Sequence, residues 1–163
     1  MPSIIQLDLN PIPAGDRLTP GFFDYEDELM RTVAEYVKDD SDPEATLGEF
    51  QDYLLSKNPC VECFQEGDNR GICFREGFQG HYFRDAHAAF VRLAGKLARD
   101  PTLGGFIRDE PSGDLFAMPE AYNDRYGWYV YYETMTMTLD KFMRQYAGPD
   151  QRYYFGGVVY YHT

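Results

Sequence analysis

Alternating apolar and polar residues open the chain and predict a β-strand over Ser3–Leu9. Ile5, Leu7 and Leu9 fall on one face, with polar residues on the other, because side chains alternate along an extended chain. The proline-containing segment Asn10–Pro13 ends this strand.

Apolar residues at helical spacing follow. Thr19 is a suitable N-cap and Pro20 fits a first helical turn, so we predict a helix whose apolar stripe runs from Phe22 to Val37. The segment Asp39–Pro43 breaks that helix. Thr46–Glu49 then matches a capping box and predicts a second, short helix through residue 55.

Turn-forming residues separate the predicted elements in the rest of the chain. Gly67–Gly71 lies between two short apolar runs, Cys60–Gln65 and Ile72–Arg75, which predicts a β-hairpin. The glycine pair Gly156-Gly157 inside the final predicted strand indicates a β-bulge. The other predicted elements are a helix over about Tyr82–Arg99 with Phe83, Phe90, Leu93, Ala94 and Leu97 facing inward, a loop over Asp109–Asp114, a short helix over Pro119–Tyr126, a strand over Trp128–Tyr132, a helix over Thr138–Tyr146 and a strand over Tyr153–Tyr161.

The predicted order is β-α-α-β-β-α-α-β-α-β, without a regular βαβ period. This order predicts an α+β fold with a mixed or mainly antiparallel sheet of about five strands, including the hairpin, packed with four or five helices. A chain of 163 residues can bury a core without metal or disulfide support, so we expect one domain over residues 1–163.

Negative charge is concentrated in the first third of the chain. The net charge is −12. Residues 1–52 carry thirteen acids and three bases, whereas residues 53–163 carry fourteen acids and twelve bases. Solubility alone needs a net charge of about −2 to −8. A solvated helix face is the simpler interpretation, but the surplus favours a surface that meets basic residues of a protein partner; the acids predicted to contact it are Asp24, Glu28, Asp39, Asp40, Asp42 and Glu44.

The same charge distribution argues against direct nucleic-acid binding, which needs Lys and Arg to neutralise phosphates. Aromatic residues crowd the late strands, and Tyr129 and Tyr131 are further candidates for partner contact. Packing within the sheet is the alternative interpretation of these tyrosines. A homodimer is left open.

Three cysteines and one histidine form the only candidate metal set. Cys60, Cys63, Cys73 and His81 could complete a tetrahedral zinc site, which would make the chain a small zinc-dependent enzyme or a zinc-stabilised module. In a regular strand, however, Cys60 and Cys63 point to opposite faces, and thiols packed under the hairpin are the alternative. No other cofactor is predicted and no residue is assigned a catalytic role, since no phosphate-loop or nucleophile motif occurs.

The cysteines and the apolar pattern indicate the cellular compartment of the protein. The odd cysteine count does not fit a disulfide framework, and neither an export signal nor an apolar run of about 20 residues is present. We therefore expect a cytoplasmic protein without membrane association.

Four segments carry a resemblance to a group of proteins: Leu7–Pro13, Arg17–Pro20, Ala121–Gly127 and Met137–Met143. In these segments the chain resembles small acidic accessory proteins of conjugative and phage-like mobile elements of gut bacteria. The resemblance implies an inhibitor of host defence, of the antirestriction or anti-CRISPR type, that occludes a basic nucleic-acid-binding site of its partner. A structural accessory protein of a mobile element is the other function that it implies.

Overall fold

The computed structural model describes residues 2–11, 17–25, 27–102 and 127–163, without the side chains of residues 24, 25 and 93. The strands in these ranges are β1 (Ser3–Asp8), β2 (Tyr36–Asp39), β3 (Val61–Glu66), β4 (Asn69–Phe74), β5 (Tyr129–Tyr132), β6 (Met135–Thr138) and β7 (Arg152–His162). The helices in these ranges are α1 (Pro20–Tyr25), α2 (Glu28–Val33), α3 (Pro43–Lys57), α4 (Phe78–Tyr82), α5 (Arg84–Arg99) and α6 (Leu139–Gln145).

All seven strands join one mixed sheet around β7. The main strand order is β3-β4-β7-β1-β5-β6. β4 pairs with the first residues of β7, and β2 pairs with the last residues of β7 along the same edge. Only the β1–β5 pair is parallel; the other pairs are antiparallel. The predicted α+β class with a mixed sheet and one hairpin is thus confirmed, with seven strands instead of about five.

Helices cover both faces of the sheet. Neighbouring residues of β1 are therefore buried in two different cores. Ile5 and Leu7 pack with α3, α4 and α6 on one face. Ile4 packs with α1 and α2 on the other. The predicted one-sided β1 is therefore wrong in one respect: Gln6 is buried, while Leu9 lies beyond the strand and is exposed.

A β-bulge interrupts the pairing of β1 with β7, as the glycine pair predicted. Ile5 pairs with Val158 and Leu7 with Phe155, so two residues of β1 advance against three of β7. Val158 and Phe155 both reach the core on the α3 face in spite of their odd spacing. The bulge therefore keeps both halves of β7 in register with the same core.

The single helix predicted from Pro20 into the residues before Asp39 is wrong. Asp27 accepts a hydrogen bond from the Met30 amide at 2.9 Å and starts a new helix, so α1 and α2 are separate. Tyr36 and Val37 then leave the helical path and pair with the end of β7. Pairing with a neighbouring strand has overridden a local pattern that fitted a helix.

Helix α3 begins earlier than its predicted capping box. Asp42 is the N-cap and accepts a hydrogen bond from the Ala45 amide at 3.1 Å, with Pro43 in the first turn. Thr46, the residue predicted to cap the helix, instead donates its hydroxyl to Asp40 at 2.7 Å. The helix is therefore one turn longer at its amino end.

The helix predicted over about Tyr82–Arg99 is present as α5, but its apolar side is not fully inward. Phe90 is 57% exposed and Ala94 is also exposed, whereas Phe83, which caps α5, packs against the core. Helical spacing shows that an apolar face exists but not what covers it. The loop and helix predicted over 109–114 and 119–126 lie outside the described residues. None of the described helices has the length and apolar character needed to cross a membrane.

Substitutions of two glycines test the packing of β4 against β7. A Cβ atom on Gly71 would lie 1.9 Å from the backbone oxygen of Tyr153, at the point where β4 joins β7. We expect Gly71→Ala to lower the free energy of unfolding by about 1–3 kcal/mol, since the strands must separate to admit the methyl group. Urea denaturation measures the change.

Gly48→Ala is the matched control for that substitution. Gly48 lies inside α3 and has no atom within 4 Å of the added Cβ. We expect it to raise stability by about 0.5–1 kcal/mol, because alanine loses less backbone entropy than glycine in a helix. Equal stability of the two variants would contradict the close approach of β4 and β7.

Candidate functional site: an acidic cleft at the start of helix α3

A cleft of about 310 Å³ opens where β2 ends and α3 begins. Ser3 of β1 and Tyr160 of β7 contribute to its wall from the sheet. The cleft, which we name the acidic cleft, is lined by Ser3, Lys38, Asp39, Asp40, Ser41, Asp42, Ala45, Thr46, Glu49 and Tyr160.

Local hydrogen bonds fix the loop that carries the carboxylates. Asp40 accepts two of them, from the Asp42 amide at 2.8 Å and from the Thr46 hydroxyl at 2.7 Å. Asp42 in turn caps α3 through the Ala45 amide. Both carboxylates are therefore held at the positive end of the helix, which favours negative charge there.

The charge of the acidic cleft is strongly negative. Four carboxylates line it, those of Asp39, Asp40, Asp42 and Glu49, against one ammonium, that of Lys38. In residues 2–11, 17–25, 27–102 and 127–163, none of these four carboxylates forms an ion pair with Lys or Arg. Clefts lined by one sign of charge focus the electrostatic field and attract ions of the opposite sign.

Aromatic rings border the cleft along β2 and β7. The Lys38 ammonium lies 5.0 Å from the centre of the Tyr160 ring and 5.9 Å from that of Tyr36. Tyr36, 47% exposed, stacks on His162 with ring centres 5.2 Å apart. Burial raises the pKa of the Tyr160 hydroxyl, which stays a neutral hydrogen-bond donor near pH 7. Such rings give a cationic ligand an apolar and polarisable surface to lie on.

The six acids predicted to meet a partner do not form one surface. Asp39, Asp40 and Asp42 meet in the acidic cleft. Glu44 points elsewhere, since its carboxylate pairs with Arg70 at 2.9 Å. The remaining two lie on α1 and α2, which pack on the opposite face of the sheet: Glu28 is exposed, and the side chain of Asp24 lies outside the described part of the structure.

The two predicted aromatic contacts differ in accessibility. Tyr129 is only 1% exposed and packs edge-to-face on Tyr161, with ring centres 5.4 Å apart. It is a core residue, so its prediction as a partner contact is wrong. Tyr131 is half-buried and packs against Phe22 at 5.1 Å. The strand β5 (Tyr129–Tyr132) is covered on both faces, which its sequence does not reveal.

The cysteines lie on or beside the hairpin, and two of them occupy opposite faces. Cys63 pairs with Ile72, whereas Cys73, the next residue of β4, pairs with Glu62. Cys63 is exposed, and partial burial of its thiol raises its pKa. Cys60 is half-buried just before β3, and His81 is half-buried in α4. No group of three or more potential ligands with metal-binding geometry occurs in the described parts of the chain; zinc binding stays a prediction for metal analysis of the purified protein.

Sequence reasoning missed several residues of the cleft, above all Glu49 and Tyr160. One signal was present: Asp42, Thr46 and Glu49 recur every three or four residues and share one face of a helix. It was hidden because the helix was predicted to start at Thr46. Tyr160 could not be found this way, since only the pairing of β2 with β7 brings it near Lys38.

Comparisons of the chain with protein-family models, characterised proteins and solved structures found no match. The resemblance of four segments to mobile-element proteins therefore stays a prediction.

The two chemical roles of Asp42 can be separated by substitution. Asp42→Ala removes the helix cap and should lower the free energy of unfolding by about 1 kcal/mol. Asp42→Asn keeps the side-chain oxygen that accepts the Ala45 amide, so its stability should stay close to that of the parent protein. Urea denaturation compares the two; equal losses would show that the charge, and not the cap, stabilises this end of α3.

Proposed function

We propose that this protein is a non-enzymatic binding protein whose acidic cleft receives Lys or Arg side chains of a partner protein. The observation that supports this is the set of four carboxylates around one concave volume, with no ion pair to Lys or Arg in the described residues. Elsewhere the acids Glu44, Glu62, Glu66 and Asp150 do pair with the arginines of the chain.

Guanidinium and ammonium groups match both parts of the cleft. A guanidinium offers five N–H donors in one plane, which suits several carboxylates at once, and its flat face stacks on aromatic rings. Tyr36 and Tyr160 provide those rings, which already hold the Lys38 ammonium. An incoming cation would find the same kind of contact together with uncompensated carboxylates.

Basic nucleic-acid-binding sites are the class of partner surface that this chemistry fits best. Such sites concentrate Lys and Arg where phosphates bind, and a carboxylate cluster competes for the same positions. Occlusion of such a site is how an inhibitor of the antirestriction or anti-CRISPR type would act in a bacterial cytoplasm. The resemblance of the chain to mobile-element proteins favours this setting.

Asp39 and Glu49 are the most informative residues of the cleft. Asp40 and Asp42 have internal roles in starting α3, so removing their charge also disturbs the fold. Both Asp39 and Glu49 are exposed. Within the described residues neither side chain makes a hydrogen bond or an ion pair, so isosteric amides at these positions remove charge without removing a structural contact.

We expect Asp39→Asn/Glu49→Gln to weaken partner binding more than tenfold and to flatten its salt dependence, because two interfacial charges are lost. Immobilised parent protein and variants would capture partners from a bacterial lysate, with elution by a salt gradient and identification by mass spectrometry. Affinities of each purified partner are then measured by calorimetry at two salt concentrations.

Asp68→Asn/Glu76→Gln is the matched control. It makes the same change in net charge at exposed positions outside the cleft and should leave the affinity unchanged. A partner retained equally by both double variants would refute the role of the cleft. Displacement of the partner by oligonucleotides would support occlusion of a nucleic-acid site, whereas self-association insensitive to salt would favour a structural accessory role instead.

A further inference from the structure

Helix α5 concentrates positive charge in a chain that is otherwise acidic. It carries four bases and one acid, whereas no other described helix or strand has a net charge above +1. Arg84 and Asp85 form an ion pair at 3.6 Å. The three remaining bases are exposed and lie on one side of the helix, because they are spaced four and three residues apart. We name them the basic stripe: Arg92, Lys96 and Arg99.

The basic stripe has no acidic partner in the part of the chain that the structure describes. None of its three side chains makes an ion pair or a hydrogen bond there. Other arginines differ in this respect: Arg70 and Arg152 each pair with a carboxylate from elsewhere in the chain. The positive charge of the stripe is therefore uncompensated, as is the negative charge of the acidic cleft.

The stripe and the cleft of one chain do not meet. Among the described elements α5 packs mainly on α4, and none of its described side chains is buried. No residue of α5 lines the acidic cleft. Contact between the two surfaces therefore requires a second copy of the chain.

The acidic cleft and the basic stripe match in spacing as well as in charge. Asp42, which caps α3, and Glu49 are seven residues apart, as Arg92 and Arg99 are in α5. Because a helix rises about 1.5 Å per residue, both pairs span about 10 Å. A helix laid along the start of α3 therefore brings one base to each of these carboxylates.

We propose that the basic stripe of α5 docks in the acidic cleft of a second copy of this chain. The inference rests on the proposed function, because it names a second copy as one partner that presents Lys and Arg to the cleft. The net charge of −12 on each copy opposes association. In physiological salt, however, exposed charges farther apart than about 8 Å are largely screened, whereas contacting pairs are screened much less. A second copy and any other basic partner then compete for one cleft.

Sedimentation velocity of the full chain over a range of protein concentrations tests the proposal. The Debye length falls from about 10 Å in about 0.1 M salt to about 3 Å in about 1 M salt. We expect the parent protein to self-associate in the lower salt and at least tenfold more weakly in the higher one. A parent protein that stays monomeric at millimolar concentration in both would overturn the proposal.

Two charge reversals identify the surfaces that meet. Arg92→Glu/Lys96→Glu reverses the stripe and Asp39→Lys/Glu49→Lys reverses the cleft, so each variant alone should self-associate at least tenfold more weakly than the parent protein. An equal mixture of the two should associate again, because the intact stripe of the cleft variant meets the intact cleft of the stripe variant. If the mixture stays monomeric while both variants keep the circular dichroism of the parent protein, the proposal is overturned.

Lys141→Glu/Arg144→Glu is the matched control for the stripe variant. It makes the same change in net charge at exposed positions of α6 and should self-associate as the parent protein does. An equal loss in this control would assign the effect to net charge and overturn the proposal. So would self-association that survives both reversals but is lost in Phe90→Ser, since it would then depend on the exposed apolar side of α5.

The stripe variant also separates this inference from the proposed function. Its acidic cleft is intact, so it should capture a basic partner from the lysate as the parent protein does. A monomeric parent protein that captures such a partner would overturn only the docking of a second copy. Self-association without capture of any other protein would instead refute occlusion of a nucleic-acid site.

Discussion

The pairing of β7 with three other strands is the constraint from which the rest of the structure follows. Its first residues pair with β4 and its last residues with β2 along one edge, while β1 occupies the other. The chain leaves β2 and enters α3 within residues 40–42. Asp39, Asp40 and Asp42 are neighbours in the sequence, and the pairing of β2 with β7 places Tyr160 beside them. The acidic cleft is therefore a product of the sheet topology as much as of composition.

The concentration of charge is tolerated because part of it stabilises the fold. Asp40 and Asp42 hold the loop and cap α3, and a cap of this kind contributes about 1 kcal/mol. The exposed pair of Glu44 with Arg70 contributes little, less than about 1 kcal/mol. These roles explain the presence of Asp40, Asp42 and Glu44 without a partner protein. Asp39 and Glu49 have no such role within the described residues, and both are exposed to a partner protein.

Local signals predicted those parts of the fold that local chemistry determines. The turn after Glu66, the Gly156-Gly157 bulge and the helix that begins beside Thr138 were all predicted from neighbouring residues. Strand β2 was not predicted, since Tyr36 and Val37 also fit the apolar stripe of a helix. Only their pairing with β7 makes this segment a strand. The cleft itself was predicted only in part. The sequence shows the concentration of acids, but it does not show on which face of the sheet each acidic helix packs.

The alternation of β1 separates the acidic cleft from the opposite face of the sheet. Ser3 reaches the cleft on the α3 face, whereas Gln6 is buried on the α1 face, where its side-chain oxygen accepts a hydrogen bond from the Leu18 amide. A slip of one residue in β1 would exchange these faces, so the register that buries Ile4 and Ile5 also determines which side chains of β1 reach the cleft. Since a sheet with a packed core on each face lies between the cleft and α1, charges in the cleft can be altered without a direct effect on the packing of α1.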